Sequence, residues 1–486
     1  MKKVLFVLLI ALVSSTPVYA NVFAFNISVD TSGTPVKISY RLNDNASAVQ
    51  IQIFGPLPAT TVIGTISGTT NKGSNTVNWD GAGTVAGNNY GFKITAQQTT
   101  GYADWTRLND SSTIFQFYTP RGGVSVNKNV RSPYFGMIYT ANSFPGTTTA
   151  GGRAMDKGLF ALYPDGTDPL SLGNTARAGG ITWDAVSSNS PYHVFVAPDD
   201  RVYICDWADA HSGLWRAEPN LSGNFTEIFD NTGRVASGLV GTLHGSIAGV
   251  WVEGTGASTI VYTYDEDLPP APSVTAEPGL RNIYKYAIGN GPFPWTTNPT
   301  VQIDERDFSA FSLYNPTYGL FVNDTNGGLK RDSAGNWYVS NYRAVFDSPC
   351  LMKFASDGKT LLWDSITNGT SGATEEFLYD LGGFAIDEAH NRIAVAINTL
   401  GFKVFPFNPL PSGDLVSKIT TVTIPTGTSN RGIDFDAAGN VYLINSTDEL
   451  LYIYSPPGTN SYITETNLTL PGGAAMAADS KWSIYE

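Results

Sequence analysis

Between residues 36 and 96 apolar and polar side chains alternate with a period of two. The runs are VKISYRL (36–42), VQIQIFG (49–55), TVNWDG (76–81) and YGFKITA (90–96), separated by Gly, Thr and Asn. Such alternation puts every second side chain on one face of an extended strand, so each run can bury one face and wet the other. Short strands divided by turn residues predict a small β-sandwich over residues 21–97.

Beyond residue 98 the chain repeats. Seven starts line up: Gly122-Gly123, Gly179-Gly180, His244-Gly245, Gly327-Gly328, Gly382-Gly383, Arg431-Gly432 and Gly472-Gly473. Three continue alike as DSAGNWYVSNY (332–342), DEAHNRIAVAIN (387–398) and DAAGNVYLINS (436–446), each followed by a further strand. The spacing of 41 to 83 residues is loose, but the order of parts is kept. Four short strands per unit, repeated radially, make a β-propeller over residues 98–486. The seventh start leaves few residues after it. The sequence therefore predicts a last blade shared between 472–486 and strands from about 102–119, giving seven blades, with six as the alternative.

In the first module, Trp79-Asp80-Gly81 followed by Gly87 and Tyr90-Gly91-Phe92 resembles the Ig-like module named after the flagellar hook-capping protein. The resemblance covers roughly residues 25–97 and implies a core Trp, an Asp-Gly hairpin turn and no chemistry. The repeats at 327–358, 382–409 and 431–458 resemble blades of NHL-like propellers. Those mostly bind partners, while a minority of relatives are lyases or lactonases.

The first twenty residues, MKKVLFVLLIALVSSTPVYA, join two Lys to an apolar run and a small-residue cleavage site, which predicts a signal peptide cut after Ala20. Export to the extracellular space or cell surface is expected, with the periplasm as an alternative and no membrane insertion. The net charge of −13 argues against nucleic acid as a partner. Only Cys205 and Cys350 occur, each in an apolar strand-like run, so both are expected buried and outside any disulfide.

Candidate chemistry is sparse. At the start of the seven innermost strands stand five Gly, His244 and Arg431. One His and one Arg could hold an anionic group through charge-assisted hydrogen bonds. They cannot supply an acid, a base and a metal together. His193 lies in a strand and His390 in a turn, and no H-E-x-x-H, G-x-S-x-G or phosphate-loop motif occurs. The loop DWADAHSGLW (206–215) brings Trp207, Trp215 and His211 beside Asp206 and Asp209, a composition suited to stacking on a sugar. Carboxylates at 265–272, 303–308 and 374–377 read as solvated surface.

The run DFDAAGN (434–440) could suggest a calcium loop, but its Asp434 becomes Lys330 and Ala385 in the other repeats. What recurs is Asp436, as Asp332 and Asp387, at a turn between strands. No catalytic set, metal site or cofactor is identified. The sequence reads as an all-β, two-module, exported binding or scaffold protein, with protein or carbohydrate at a propeller face. A propeller enzyme of lyase or lactonase type and a self-associating surface-layer or filament subunit are the alternatives.

Overall fold

The computed structural model describes residues 21–121, 123–184, 190–208, 213–229, 247–265, 282–314, 319–321, 328–341, 349–367, 381–411, 419–424 and 429–473. These residues form β-strands and short 3-10 turns, with no α-helix among them. The leader, His211 and His244 lie outside the described residues.

The sandwich has two sheets. One runs Ala24–Asp30, Val36–Leu42 and Gly73–Trp79; the other runs Gly458–Pro471, Asn89–Tyr102, Ala48–Phe54 and Val62–Ser67. The period-two runs do what their pattern requires: Ile38, Tyr40, Ile51, Ile53, Phe92 and Ile94 all turn inward and are buried. Trp79 joins this core beside Tyr90, 6.4 Å away between ring centres. Asp80 closes the following turn by accepting from the Ala82 amide at 2.9 Å, while Gly81 takes a φ of +73°.

The strand Gly458–Pro471 was not foreseen in this sheet. It pairs antiparallel along Asn89–Tyr102, matching Ser461 with Gln97 and Thr464 with Ile94. Asn460 and Thr464 also donate to the carbonyls of Val22 and Ala24, each at 2.7 Å. The expected boundary at residue 97 is therefore not a clean cut, because the sandwich needs a segment from the far end of the chain. Gly472-Gly473, expected to open a seventh blade, instead ends on the sandwich: the Gly472 amide donates to the Asn88 carbonyl at 2.8 Å and that of Gly473 to Thr84 Oγ1 at 3.0 Å.

The described residues contain six propeller sheets, the alternative count rather than the expected seven. Their innermost strands are Val124–Val126, Val194–Val196, Ile247–Glu253, Leu329–Arg331, Leu381–Asp387 and Asn430–Phe435. Successive blades abut through these strands, and Asn430–Phe435 touches both the fifth blade and the first, so the ring closes. The first blade has three strands, with its fourth reduced to a single bridge between Leu159 and Arg177. The sixth takes its outermost strand, Thr106–Arg107, from the segment just after the sandwich. Asn109 secures that closure from both sides, donating to the Leu451 carbonyl at 2.7 Å and accepting from the Ile453 amide at 2.9 Å. The idea of a blade shared between distant parts of the chain thus holds, with Leu450–Ser455 pairing to Thr106–Arg107; of the expected segment 472–486, residues 474–486 lie outside the described residues.

Phe23 and Phe25 leave the sandwich and enter the propeller core. Phe23 meets Phe135 at 5.5 Å and Phe25 meets Tyr163 at 4.9 Å between ring centres. Neither cysteine forms a disulfide and both are buried.

A chain ending at Pro457 would lose the strand 458–471, bare the edge of Asn89–Tyr102 and uncover Leu470, which is 0% exposed. On area grounds this should cost several kcal/mol, a large part of a typical stability margin. Thermal unfolding of that truncated chain should occur well below the full chain; coincident curves would contradict the shared sandwich.

Candidate ligand site at the channel mouth

Each innermost strand begins with small or apolar residues that narrow the bore. Val124, Val194, Val250, Leu329, Phe384 and Ile433, one from each blade, line a space of about 40 Å³. Towards the other end of these strands the bore opens into a mouth of about 500 Å³. Its walls come from 125–129 of the first blade, 195–198 of the second, Trp251 and Val252 of the third, Lys330 and Arg331 of the fourth, Ile386 and Glu388 of the fifth, and Asp434 of the sixth. The lining carries three cations (Lys128, Lys330, Arg331) against two carboxylates (Glu388, Asp434). That is unusual for a chain of net charge −13.

The charged groups here differ in how far they are already committed. Asp434 is 4% exposed and braces three blades. Its Oδ1 accepts from Lys128 Nζ at 2.7 Å and from the Phe435 amide at 2.9 Å, and its Oδ2 accepts from the Val126 amide at 2.9 Å. Ser125 extends the brace by accepting from the Val196 amide at 3.1 Å. Arg331 Nη1 donates to both oxygens of Glu253, at 2.9 and 2.7 Å, with its guanidinium 4.7 Å from the Trp337 ring centre. Glu388 accepts from the Ser333 amide at 2.7 Å and its hydroxyl at 2.6 Å.

Lys330 is the exception. Among the described residues its amino group makes no ion pair or hydrogen bond. It lies 5.6 Å from the Phe195 ring centre, where bore and mouth meet. Burial pushes this amine below the ordinary lysine range; nearby Asp434 opposes the shift and Lys128 reinforces it.

Of the sequence-predicted residues, Arg431, Trp207 and Trp215 are described, while His211 and His244 lie outside the described residues. Arg431 is 7% exposed, and its backbone abuts Gly382 and Gly383 in the seam between the fifth and sixth blades. It lines neither described channel space. Trp215 is 2% exposed and packs edge-on against Trp183 at 5.2 Å, in the core cluster shared with the first blade. Trp207 packs on the opposite side of its blade, 5.5 Å from Tyr192. The two Trp therefore form no common stacking platform: Trp215, on the strand Gly213–Ala217, and Trp207, just past the strand Val202–Asp206, pack into different core clusters. Trp215 does border an outer hollow of about 280 Å³ with Asn224 and Glu227. Asp206 caps its own loop, accepting from the Ser190 hydroxyl at 2.5 Å and the Ala208 amide at 2.9 Å.

Sequence comparison missed Lys330 because it weighed the wrong layer. The starts of the innermost strands were compared, whereas the open mouth lies at their ends. The signal was available in the interchange of Asp434 with Lys330, which served only to dismiss a calcium loop.

No family model and no curated protein matches the chain. Solved structures do. A gluconolactonase from Xanthomonas campestris matches at 13% identity over 75% of this chain and 90% of that one, with a TM-score of 0.40. A protein of unknown function from Bacteroides thetaiotaomicron matches at 12% over 88% and 98%, with a TM-score of 0.41. Virginiamycin B lyase from Staphylococcus aureus matches at 8% over 72% and 98%, with a TM-score of 0.38. At such identities and scores no activity carries over, and the ring rests on its own strand pairing.

The recurrent Asp is a turn residue. Asp436 accepts from the Ala438 and Asn440 amides at 2.9 Å each, from Asn440 Nδ2 at 2.7 Å and from the Tyr442 hydroxyl at 2.9 Å. Asp332 repeats the pattern, accepting from the Asn336 amide at 2.7 Å and its Nδ2 at 2.9 Å. Gly335 and Gly439 supply the positive φ in these turns, +85° in both. Burial pushes the Asp436 carboxyl up to about 6 despite its four donors. A carboxyl raised on folding stabilises the fold most in acid. Its contribution is complete below its ordinary value of 3.8 and fades as pH rises through about 6. Asp436→Ala should lower stability by about 1–3 kcal/mol through the orphaned donors. In urea titrations the gap between parent and variant should widen as pH falls from neutral through about 6, and calcium should move neither; a gap that narrows would reverse the sign argued here.

Proposed function

We propose that this is an exported, non-catalytic binding protein that holds a carboxylate-bearing sugar or peptide in the channel mouth. Export is motivated by the Lys-apolar-Ala20 leader. On their motifs the sandwich is taken as Ig-like of the hook-capping type and the ring as NHL-like. The observation that carries the binding role is Lys330: a cation facing an open space of about 500 Å³, while its neighbours Lys128 and Arg331 are held by Asp434 and Glu253. Trp251 and Phe195 give that space two aromatic walls, on which a ring or apolar face can rest. A ligand carboxylate would supply a partner that Lys330 does not have among the described residues, through a charge-assisted hydrogen bond. Calorimetric titration with galacturonate should give saturable binding that Lys330→Met weakens about tenfold to a hundredfold, the usual worth of such a bond. Equal affinity in parent and variant would remove Lys330 from the role.

Self-association has one specific observation in its favour. The strand Val62–Ser67 ends its sheet with no outer partner among the described residues. Residues 55–71 around it carry no charge, and Val62 and Ile63 are 47% and 40% exposed. Edge strands are usually guarded by charge or Pro within the strand, and this one is not. Sedimentation velocity should show concentration-dependent dimers that Ile63→Lys returns to monomers; a parent that stays monomeric throughout would discard this reading.

A further inference from the structure

The geometry points to a covalent use of the mouth: Lys330 captures an aldehyde- or keto-acid as an imine. This rests on the reading of the mouth as the ligand site and names the ligand class more narrowly. Four observations meet at one atom. The amine is on the channel wall with neither an ion pair nor a hydrogen bond among the described residues, so no carboxylate locks its lone pair into an ammonium. Below it the bore is lined mainly by apolar side chains, with His193 of the second blade also on its wall, and beside it stands the Phe195 ring, 5.6 Å away. Lys128 contributes a second positive charge from the first blade, which opposes protonation of its neighbour. The nearest carboxylate, Asp434, is occupied by Lys128 and two backbone amides.

The other charged groups lining the space are Arg331 on the same strand, paired with Glu253, and Glu388 of the fifth blade, held by Ser333. The second and third blades contribute Phe195 and Trp251, which do not titrate in the physiological range. A desolvated lysine beside another cation is a recognised route to a nucleophilic amine. Burial is the main cause acting in that direction here; Lys128 adds to it, while Asp434 opposes it more strongly than Lys128 helps.

The step balances without a further reactant. The neutral nitrogen attacks the carbonyl carbon and a C–N bond forms. The carbonyl oxygen takes up a proton, giving a carbinolamine. Loss of that oxygen as water, with a proton from nitrogen balancing the one gained, leaves C=N. Amine and carbonyl compound become imine and water, with no change of oxidation state.

Glyoxylate is a suitable probe because it carries both the aldehyde and the carboxylate. The full chain is incubated with glyoxylate and cyanoborohydride at neutral pH, and the carboxymethylated lysines are mapped by peptide mass spectrometry. Lys330 should be alkylated severalfold faster than Lys128 and the surface lysines, because only the neutral amine attacks and burial favours that form. The fast phase should vanish in Lys330→Arg, with folding checked by thermal unfolding. Equal labelling of all lysines, alongside calorimetric binding of galacturonate that depends on Lys330, would overturn the imine and leave the carboxylate site standing. Fast labelling of Lys330 with no galacturonate binding would uphold the imine and discard the non-covalent site. Equal labelling and no binding would overturn both.

Discussion

An antiparallel sheet that stops at a bare strand leaves a row of unpaired N–H and C=O groups, and two such edges among the described residues are closed by strands distant in sequence. The sixth blade ends at Leu450–Ser455, and the sandwich sheet would end at Asn89–Tyr102. Each is closed by a segment distant in sequence: Thr106–Arg107, just after the sandwich, completes the blade, and Gly458–Pro471, just after that blade's third strand, completes the sandwich. The two closures interlock. Removing either strand opens one module and loosens the segment that anchors the other. Ring and sandwich are thus tied together by two strand pairings between segments distant in sequence.

That interlock bears on the mouth. Phe23 of the sandwich packs on Phe135, and Tyr462 of the shared strand stacks on the same ring at 6.3 Å with an 11° tilt. Phe135 lies in the loop that follows Lys128, and the base of that loop is pinned where Asn127 exchanges backbone hydrogen bonds with Gly136 and Met137, both at 2.9 Å. Arg41 adds an ion pair to Asp165 at 2.6 Å. The sandwich therefore holds the arm that carries Lys128 to Asp434. It is remote from the ligand space, yet it fixes one of the charges there.

Much of this fold could be read in the sequence, and the reasons differ by region. The sandwich strands were legible because one face is wet, which writes a period of two into 36–42 and 90–96. The propeller was legible from its repeated turns, since Asp436 and Asp332 answer the same backbone need. The home of 458–471 was not legible. Its alternation fits any half-buried strand, and pairing across more than 350 residues leaves no local trace. The blade count followed that error, because Gly472-Gly473 has the composition of a blade start and the contacts of a sandwich turn. Trp207 and Trp215 failed for a related reason: closeness in sequence says nothing about which face of a blade each side chain takes.

The layer that matters lies one step beyond the tight bore. Inside the bore, close approach selects Gly, Leu, Ile and Phe, as at Gly432, Leu329, Ile433 and Phe384. At the mouth the walls part and packing no longer dictates residue type, so Ser125, Lys330 and Asp434 can differ from blade to blade. Among charged residues released from packing, hydrogen bonding separates brace from site. An ionised carboxylate accepts about four donors, and Asp434 already holds Lys128 and two amides, with Ser125 Oγ at 3.5 Å. An ammonium can donate three hydrogen bonds, and Lys330 donates none among the described residues. A partly buried cation kept without a partner is costly unless something else completes it. Asp434 therefore belongs to the architecture, and Lys330 is the charge on which the proposed ligand site rests.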